Sequence, residues 1–560
     1  MQRMSESLRG PLCLRRAAVW LVAALWCGVA SADHVKQLQR EAMTSGRASW
    51  GHWGSSAESY SGWTMHTNRL IPIYTYGMPL DAFTGSKSLY RHPWAVRQLF
   101  GRMPPGTLNP TADYCDQTDV YRLQQAAVAA GKKYIVLFVF DGMDWQTIWA
   151  AATHAAGRVA YREGRGKGLF FQDYARASTD FGFCVTAPLV DGPVGNPDTQ
   201  QVAQGDDNRF GGYDPRKGGP NPWTEGNEAE YITGKSLAAH PYTDSSSSAT
   251  SLTCGVKTYN DAINVGLRGE QLVPISHLLQ RAGWAVGVVT SVPISHATPA
   301  CAYAHNVVRD DFQDLTRDLL GLPSVSHPHE PLPGVDVLLG AGWGETFERD
   351  SKQGKNYVPG NAYVTPADLA RIDCRHGGHY VVVQRTAGIE GRSAVEAAAN
   401  DAAHRGLRLF GLFGTRGGAR PGSAGGHLPF QTADGQYDPT VGALGIAEKY
   451  TPEDVRENPS LADLTSAALK VLEKNQKGFW LMVEAGDVDW ANHQNNVDNS
   501  IGAVKSGDEA FRVVARWTEA RQAWDETLVI VTADHGHYLV LKQPEALVAP
   551  ADGTAKSQPK

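Results

Sequence analysis

The sequence predicts an α/β fold: a three-layer sandwich with a mostly parallel central sheet, helices on both faces and large loop insertions. Two observations predict it. Continuous apolar runs alternate with stretches of helical periodicity, and acidic residues and histidines recur just beyond the ends of several runs. The first run, Tyr134–Phe140 (YIVLFVF), has no polar alternation, as expected of a strand buried on both faces. Residues 285–290 (AVGVVT), 335–339 (VDVLL), 479–483 (FWLMV) and 528–532 (LVIVT) match it. Between them, Leu461 to Leu472 carries apolar residues at helical spacing, as do Ile501, Val504, Phe511, Val514, Trp517 and Trp524. Strands alternating with helices give a parallel sheet covered on both sides.

The remainder of the 560-residue chain sets bounds on function. Lys+Arg 52 against Asp+Glu 58 gives a net charge of −6, without the basic excess that nucleic acid demands. With 42% hydrophobic residues the chain is neither disordered nor fibrous. Residues 1–32 read as a secretory signal: Arg9, Arg15 and Arg16 precede an apolar stretch, and Ala30-Ser31-Ala32 offers a cleavage site. The apolar stretch is short for a membrane span, and no later segment is long and apolar enough to make one. An exported protein, periplasmic or extracellular, is expected. Beyond the signal stand Cys115, Cys184, Cys254, Cys301 and Cys374, too few and too scattered for a disulfide framework, though they allow one bridge. Residues 33–130 are rich in Trp, Tyr, Gly and Ser and suggest an extension without an assignable role. The catalytic domain is expected over 131–542, with loop insertions near 190–240 and 341–460, and a disordered tail over 543–560.

In open α/β sheets, ligands bind beyond the carboxyl ends of the strands. Asp141 follows the first run, His296 and Thr298 follow the second, and Glu484, Asp489 and His493 follow the fourth. Asp534, His535 and His537 follow the last. No adjacent cation neutralises this acidic edge, which points to metal ions. Carboxylate and imidazole without thiolate suit Zn²⁺ where histidine is present and Mg²⁺ where oxygen dominates. A Ser-rich segment, Thr243-Asp244-Ser245-Ser246-Ser247-Ser248-Ala249-Thr250, has the pattern of a helix N-terminus, where a first-turn serine meets backbone N–H groups able to hold an anion.

These blocks resemble the alkaline phosphatase family. Thr243–Gly255 and the following Val256-Lys257-Thr258-Tyr259-Asn260 are similar to its nucleophile region. Asp141-Gly142-Met143, His296-Ala297-Thr298-Pro299-Ala300, Glu484 to His493, and Thr532-Ala533-Asp534-His535-Gly536-His537 resemble its metal-binding blocks, in family order. The resemblance implies a phosphate monoester hydrolase working through a phosphoserine on Ser245, with two Zn²⁺ and one Mg²⁺. It implies Asp141, Asp534 and His535 for one zinc, Asp489 and His493 for the other, and Asp141, Thr298 and Glu484 for the third ion. His296 stands where some relatives have Asp. Arg309 matches the phosphate-gripping arginine, and His537 the histidine that orients Asp489. Small-molecule phosphate monoesters are the implied substrates, and a homodimer is compatible with the family.

One departure stands out. The family's second zinc takes a further histidine from an H-x-G-type motif well downstream, and no histidine follows His537. A sequence lacking its C-terminal part, a substitute such as His376 or His427, or a site with two protein ligands would each account for it. Truncation is favoured, because a catalytic zinc usually has three protein ligands. On the same metal scaffold a phosphodiesterase or sulfatase is the neighbouring alternative, and an inactive phosphate- or metal-binding relative is another.

Overall fold

The structure, a computed structural model, describes residues 34–188, 194–203, 211–224, 231, 242–415, 426–443 and 448–550. The signal-like residues 1–32 lie outside it, as do residues 551–560 of the tail.

One ten-stranded sheet organises the chain. In chain order its strands are β1 (Ile71–Tyr76), β2 (Cys115–Asp116), β3 (Tyr134–Phe140), β4 (Thr179–Val185) and β5 (Ala285–Pro293). They continue with β6 (Val337–Ala341), β7 (Tyr380–Gln384), β8 (Arg408–Leu412), β9 (Phe479–Ala485) and β10 (Thr527–Thr532). Across the sheet the order is β7-β8-β6-β5-β9-β3-β10-β1-β4-β2. Only β1 pairs antiparallel, with β10 on one side and β4 on the other. All five apolar runs are strands. β5 and β9 extend past their runs to Pro293 and Ala485, and β6 starts at Val337 rather than Val335.

Helices cover both faces because the central strands carry apolar side chains on both. Adjacent residues of β9 show it: the Phe479 ring packs on Trp517 in the helix Val497–Ala520, while Trp480 points the other way and donates its Nε1–H to Gln124 in the helix Gln117–Ala129. Helix Leu461–Leu472 starts where expected, fixed by a capping box between Ser460 and Asp463. Helix Val497–Ala520 buries Ile501, Val504, Phe511, Val514 and Trp517 as predicted. Trp524 lies outside it, in a separate 3₁₀ turn, because the chain reverses through Gln522 (φ 53°) before entering β10.

Three segments differ from the sequence reading. The extension 33–130 contributes β1, β2 and helix Gln117–Ala129, so it belongs to the sheet itself. Its strand escaped notice because Ile71–Tyr76 (IPIYTY) mixes polar residues with a proline, and a proline demotes a central-strand reading. Residues 341–460, expected as a loop insertion, hold β7, β8 and the helix Gly391–Arg405, which form one edge of the sheet. Their apolar runs are short, five residues each, and only β7, at the very edge, is left half-buried. The tail is ordered through 543–550 as described: Pro544–Leu547 forms a 3₁₀ turn, with Leu547 wholly buried. Within 190–240, the described parts are a hairpin, Val194–Asn196 with Gln201–Ala203, and a helical turn at Pro215–Gly218. No helix among the described residues is long and apolar enough to cross a membrane.

Candidate active site

Sheet order brings the acidic residues together. β9, β3 and β10 are neighbours in register; Glu484 is the penultimate residue of β9, Asp141 directly follows β3 and Asp534 lies just past β10. Strands lie about 4.8 Å apart, so carboxylates at three adjacent strand ends are brought close together. Gly142 follows Asp141 with φ 70°, and a Cβ there would meet the His537 ring at 2.6 Å. The glycine therefore permits both the turn and the close approach of His537. Its N–H donates to Asp534 Oδ1 at 2.8 Å, tying the two strand ends.

Ser245 opens the helix Ser245–Cys254. Asp244 caps it, accepting from the Ser247 N–H at 2.9 Å. Ser245 Oγ lies 3.3 Å from His535 Nε2 and 3.5 Å from Asp141 Oδ1. His535 Nε2 is also 3.3 Å from both Asp141 and Asp534. Beside this group, His493 Nε2 is 3.5 Å from Asp489 Oδ1, one helical turn away on Asp487–His493. His537 Nε2 bonds the same Asp489 oxygen at 2.6 Å. Arg309 donates from Nη1 to Asp244 Oδ2 at 3.0 Å. Burial opposes its charge, but Asp244, Asp310 and Asp261 outweigh it and hold the guanidinium firmly protonated.

The sequence reading missed His66. Its Nε2 lies 3.1 Å from His493 Nε2 and 3.5 Å from Asp489 Oδ1, and its ring stacks on His535 at 3.7 Å. It is placed by the N-terminal chain running antiparallel beside the last strand. Gly51–Trp53 pairs with Leu539–Leu541, Thr67 bonds Gly536, and β1 pairs with β10. Its Nδ1 meets the Thr243 carbonyl at 3.1 Å, which fixes the ring's orientation. A histidine thus stands beside Asp489 and His493 from upstream, where the expectation looked downstream. The candidates His376 and His427 do not. His376 sits in the 3₁₀ turn Cys374–His376, and His427 pairs with Glu448 and stacks on Phe430.

The donors fit divalent metal. Glu484 Oε1, Thr298 Oγ1 and Asp534 Oδ2 are buried without a hydrogen-bond partner, and buried carboxylates of this density need cations. Burial, reinforced by neighbouring carboxylates, pushes Asp141 well above the usual carboxylate range. It pushes Glu484 up to about 8, with the Thr290 hydroxyl bond opposing, and Asp534 up to about 6. Burial also holds His535 well below its ordinary range and takes His537 down to about 3, so both imidazoles are neutral, with His535 able to offer a lone pair and His537 donating to Asp489. Asp489 alone goes down, since His493 and His537 overcome its burial. His296, lowered by burial to about 4, stands apart, its ring between Phe312 and Trp490.

The sign of the pH dependence follows. Above about pH 7.5 the site imidazoles are neutral in folded and unfolded chains and cancel. Asp141 and Glu484 are still protonated when folded but ionised when unfolded, so unfolding releases protons and rising pH favours it. The metal-free protein is expected to lose Tm between about pH 7.5 and 9, and the Zn²⁺/Mg²⁺-loaded protein to lose markedly less. Calorimetry on both forms checks this, and parallel pH curves would refute it.

A sequence model of the alkaline phosphatase family matches residues 226–546. The chain belongs to the alkaline phosphatase family. It is 30% identical over 327 residues to the alkaline phosphatase of Escherichia coli, covering 57% of this chain and 64% of that one. It is 27% identical over 294 residues to alkaline phosphatase 4 of Bacillus subtilis, covering 52% and 49%. Against the first of these curated relatives the chain spans about half their length. Among solved structures, Thermus thermophilus alkaline phosphatase aligns with a TM-score of 0.42 and 22% identity, covering 72% of this chain and 60% of that one.

Proposed function

We propose that this member of the alkaline phosphatase family is an exported, metal-dependent phosphate monoester hydrolase acting through a phosphoserine on Ser245. One observation carries the reading: a serine hydroxyl at the first turn of a helix, within 3.5 Å of a buried carboxylate–imidazole donor group, beside an arginine held by the helix-capping aspartate.

Asp141, Asp534 and His535 would hold one zinc, and Asp489, His493 and His66 the other. Asp141, Thr298 and Glu484 would hold a magnesium. When bound, these ions supply Lewis-acid charge stabilisation to the entering and leaving oxygens. The chain's own groups do the rest. Ser245 Oγ attacks phosphorus, the ester P–O bond breaks, and the alcohol departs. Water then cleaves the serine–phosphate bond and frees inorganic phosphate and the serine. Backbone N–H groups of the first helical turn face the equatorial phosphoryl oxygens, where charge concentrates. Asp244 orients Arg309 toward them, and His537 fixes Asp489 through the 2.6 Å bond.

Comparing a chromogenic phosphate monoester with a diester and a sulfate ester, at about pH 9 with added Zn²⁺ and Mg²⁺, tests the reading. Preference for the diester or sulfate would overturn it, as would tight phosphate binding without turnover. Arg309→Lys tests the anion grip separately. Lysine cannot present two parallel N–H donors, so the inhibition constant for inorganic phosphate and the KM should rise roughly tenfold or more. Unchanged values would remove Arg309 from the site.

A further inference from the structure

Two of the five cysteines beyond the signal-like segment meet in the core. Cys115 on β2 and Cys184 on β4 are partners in the parallel ladder, 69 residues apart in sequence, with Sγ atoms 3.1 Å apart and both side chains wholly buried. The others have different surroundings: Cys254 Sγ contacts Asn264 Oδ1 at 3.1 Å, Cys301 Sγ the Ser246 carbonyl at 3.3 Å, and Cys374 lies in a surface turn.

We propose that Cys115 and Cys184 form a structural disulfide that fastens the N-terminal segment to the body of the protein. The sulfurs already lie closer than two non-bonded sulfurs ordinarily pack, and reaching the covalent length of about 2.05 Å needs a shift of only about 1 Å. The bridge has a clear mechanical task. Cys184 lies opposite Ile71 of β1 on its other side, and β1 follows His66 by a few residues. Cys115 precedes Asp116, which caps the helix Gln117–Ala129, accepts from the Tyr90 hydroxyl at 2.7 Å and pairs with Lys257 at 3.1 Å. From that helix Gln117 donates to Ser248 Oγ and to the Asp534 carbonyl. A bond at this point ties β4, which pairs with the strand after His66, to the segment leading into the helix whose Gln117 reaches Ser248 and Asp534.

The step is a thiol–disulfide exchange. A Cys thiolate attacks glutathione disulfide, the second Cys thiolate displaces glutathione, and the two thiols end as one S–S bond with two molecules of reduced glutathione released. Hydrogen bonding to Cys184 and burial hold the Cys115 thiol protonated in the folded chain, so the bond forms while β2 and β4 are still open.

Refolding the reduced full chain in a glutathione redox buffer, alkylating under denaturing conditions and mapping the digest tests this. The expected result is a linked Cys115–Cys184 peptide, lighter by two hydrogens and separated by reductant. Alkylation of both residues, or a linkage of either to another cysteine, would overturn it. Cys115→Ser/Cys184→Ser should lower Tm by roughly 5 °C relative to the oxidised parent and make Tm insensitive to reductant. A parent Tm that does not respond to reductant would also count against the bridge, and Cys374→Ser should leave that response intact.

Discussion

Ser245→Ala is expected to lower phosphate monoester turnover by on the order of 10³-fold or more, because removing a covalent nucleophile disables both halves of the reaction. The same change should barely touch the fold. Asp244, not Ser245, caps the helix, and the serine hydroxyl makes only contacts of 3.3 and 3.5 Å. Tm and bound zinc should therefore match the parent. The measurement is steady-state hydrolysis alongside metal analysis. The parent, stopped in acid during turnover, should carry phosphate on the peptide containing Ser245, and the variant none. Turnover within a few-fold of the parent would dismiss Ser245 as the nucleophile.

His66→Ala should release one zinc equivalent and cut turnover by on the order of 10²-fold or more. Groups that merely orient a ligand are worth 10–100-fold in metal affinity, and His66 lies among the donors themselves. Its neighbours make the argument: His493 at 3.1 Å and Asp489 at 3.5 Å would be left as a two-residue site. Added imidazole should restore part of the loss, which a purely structural defect would not permit. His376→Ala should change neither metal content nor rate. His427→Ala should cost stability, through the lost Glu448 contact, without releasing zinc from the folded protein. Full zinc retention in His66→Ala, or zinc loss in His427→Ala, would reassign the position.

Much of this site could be read along the chain because the central strands are buried on both faces and end abruptly in polar residues. Asp141, Glu484 and Asp534 announce themselves by ending apolar runs, and the helix-start pattern around Ser245 is local chemistry. The edge strand β7 and its neighbour β8 were less legible. An edge is buried less completely, so five-residue runs such as Tyr380–Gln384 suffice and resemble ordinary loop residues. β1 hid behind Pro72, which lies one residue before the pairing with β10 begins at Ile73 and opposite Phe183 of β4.

The sequence by itself determined the strands at the centre of the sheet, the helices over them and the chemical types of the donors. These depend on periodicity, capping and composition within short windows, where physical preference is local. Tertiary structure alone decided which histidine completes the group around Asp489. His66 and His493 are separated by over four hundred residues, and their meeting depends on the N-terminal chain pairing antiparallel along β10 and the strand Leu539–Leu541. Register between strands distant in sequence is set by the packing of the whole sheet, and no local pattern around His66 encodes it.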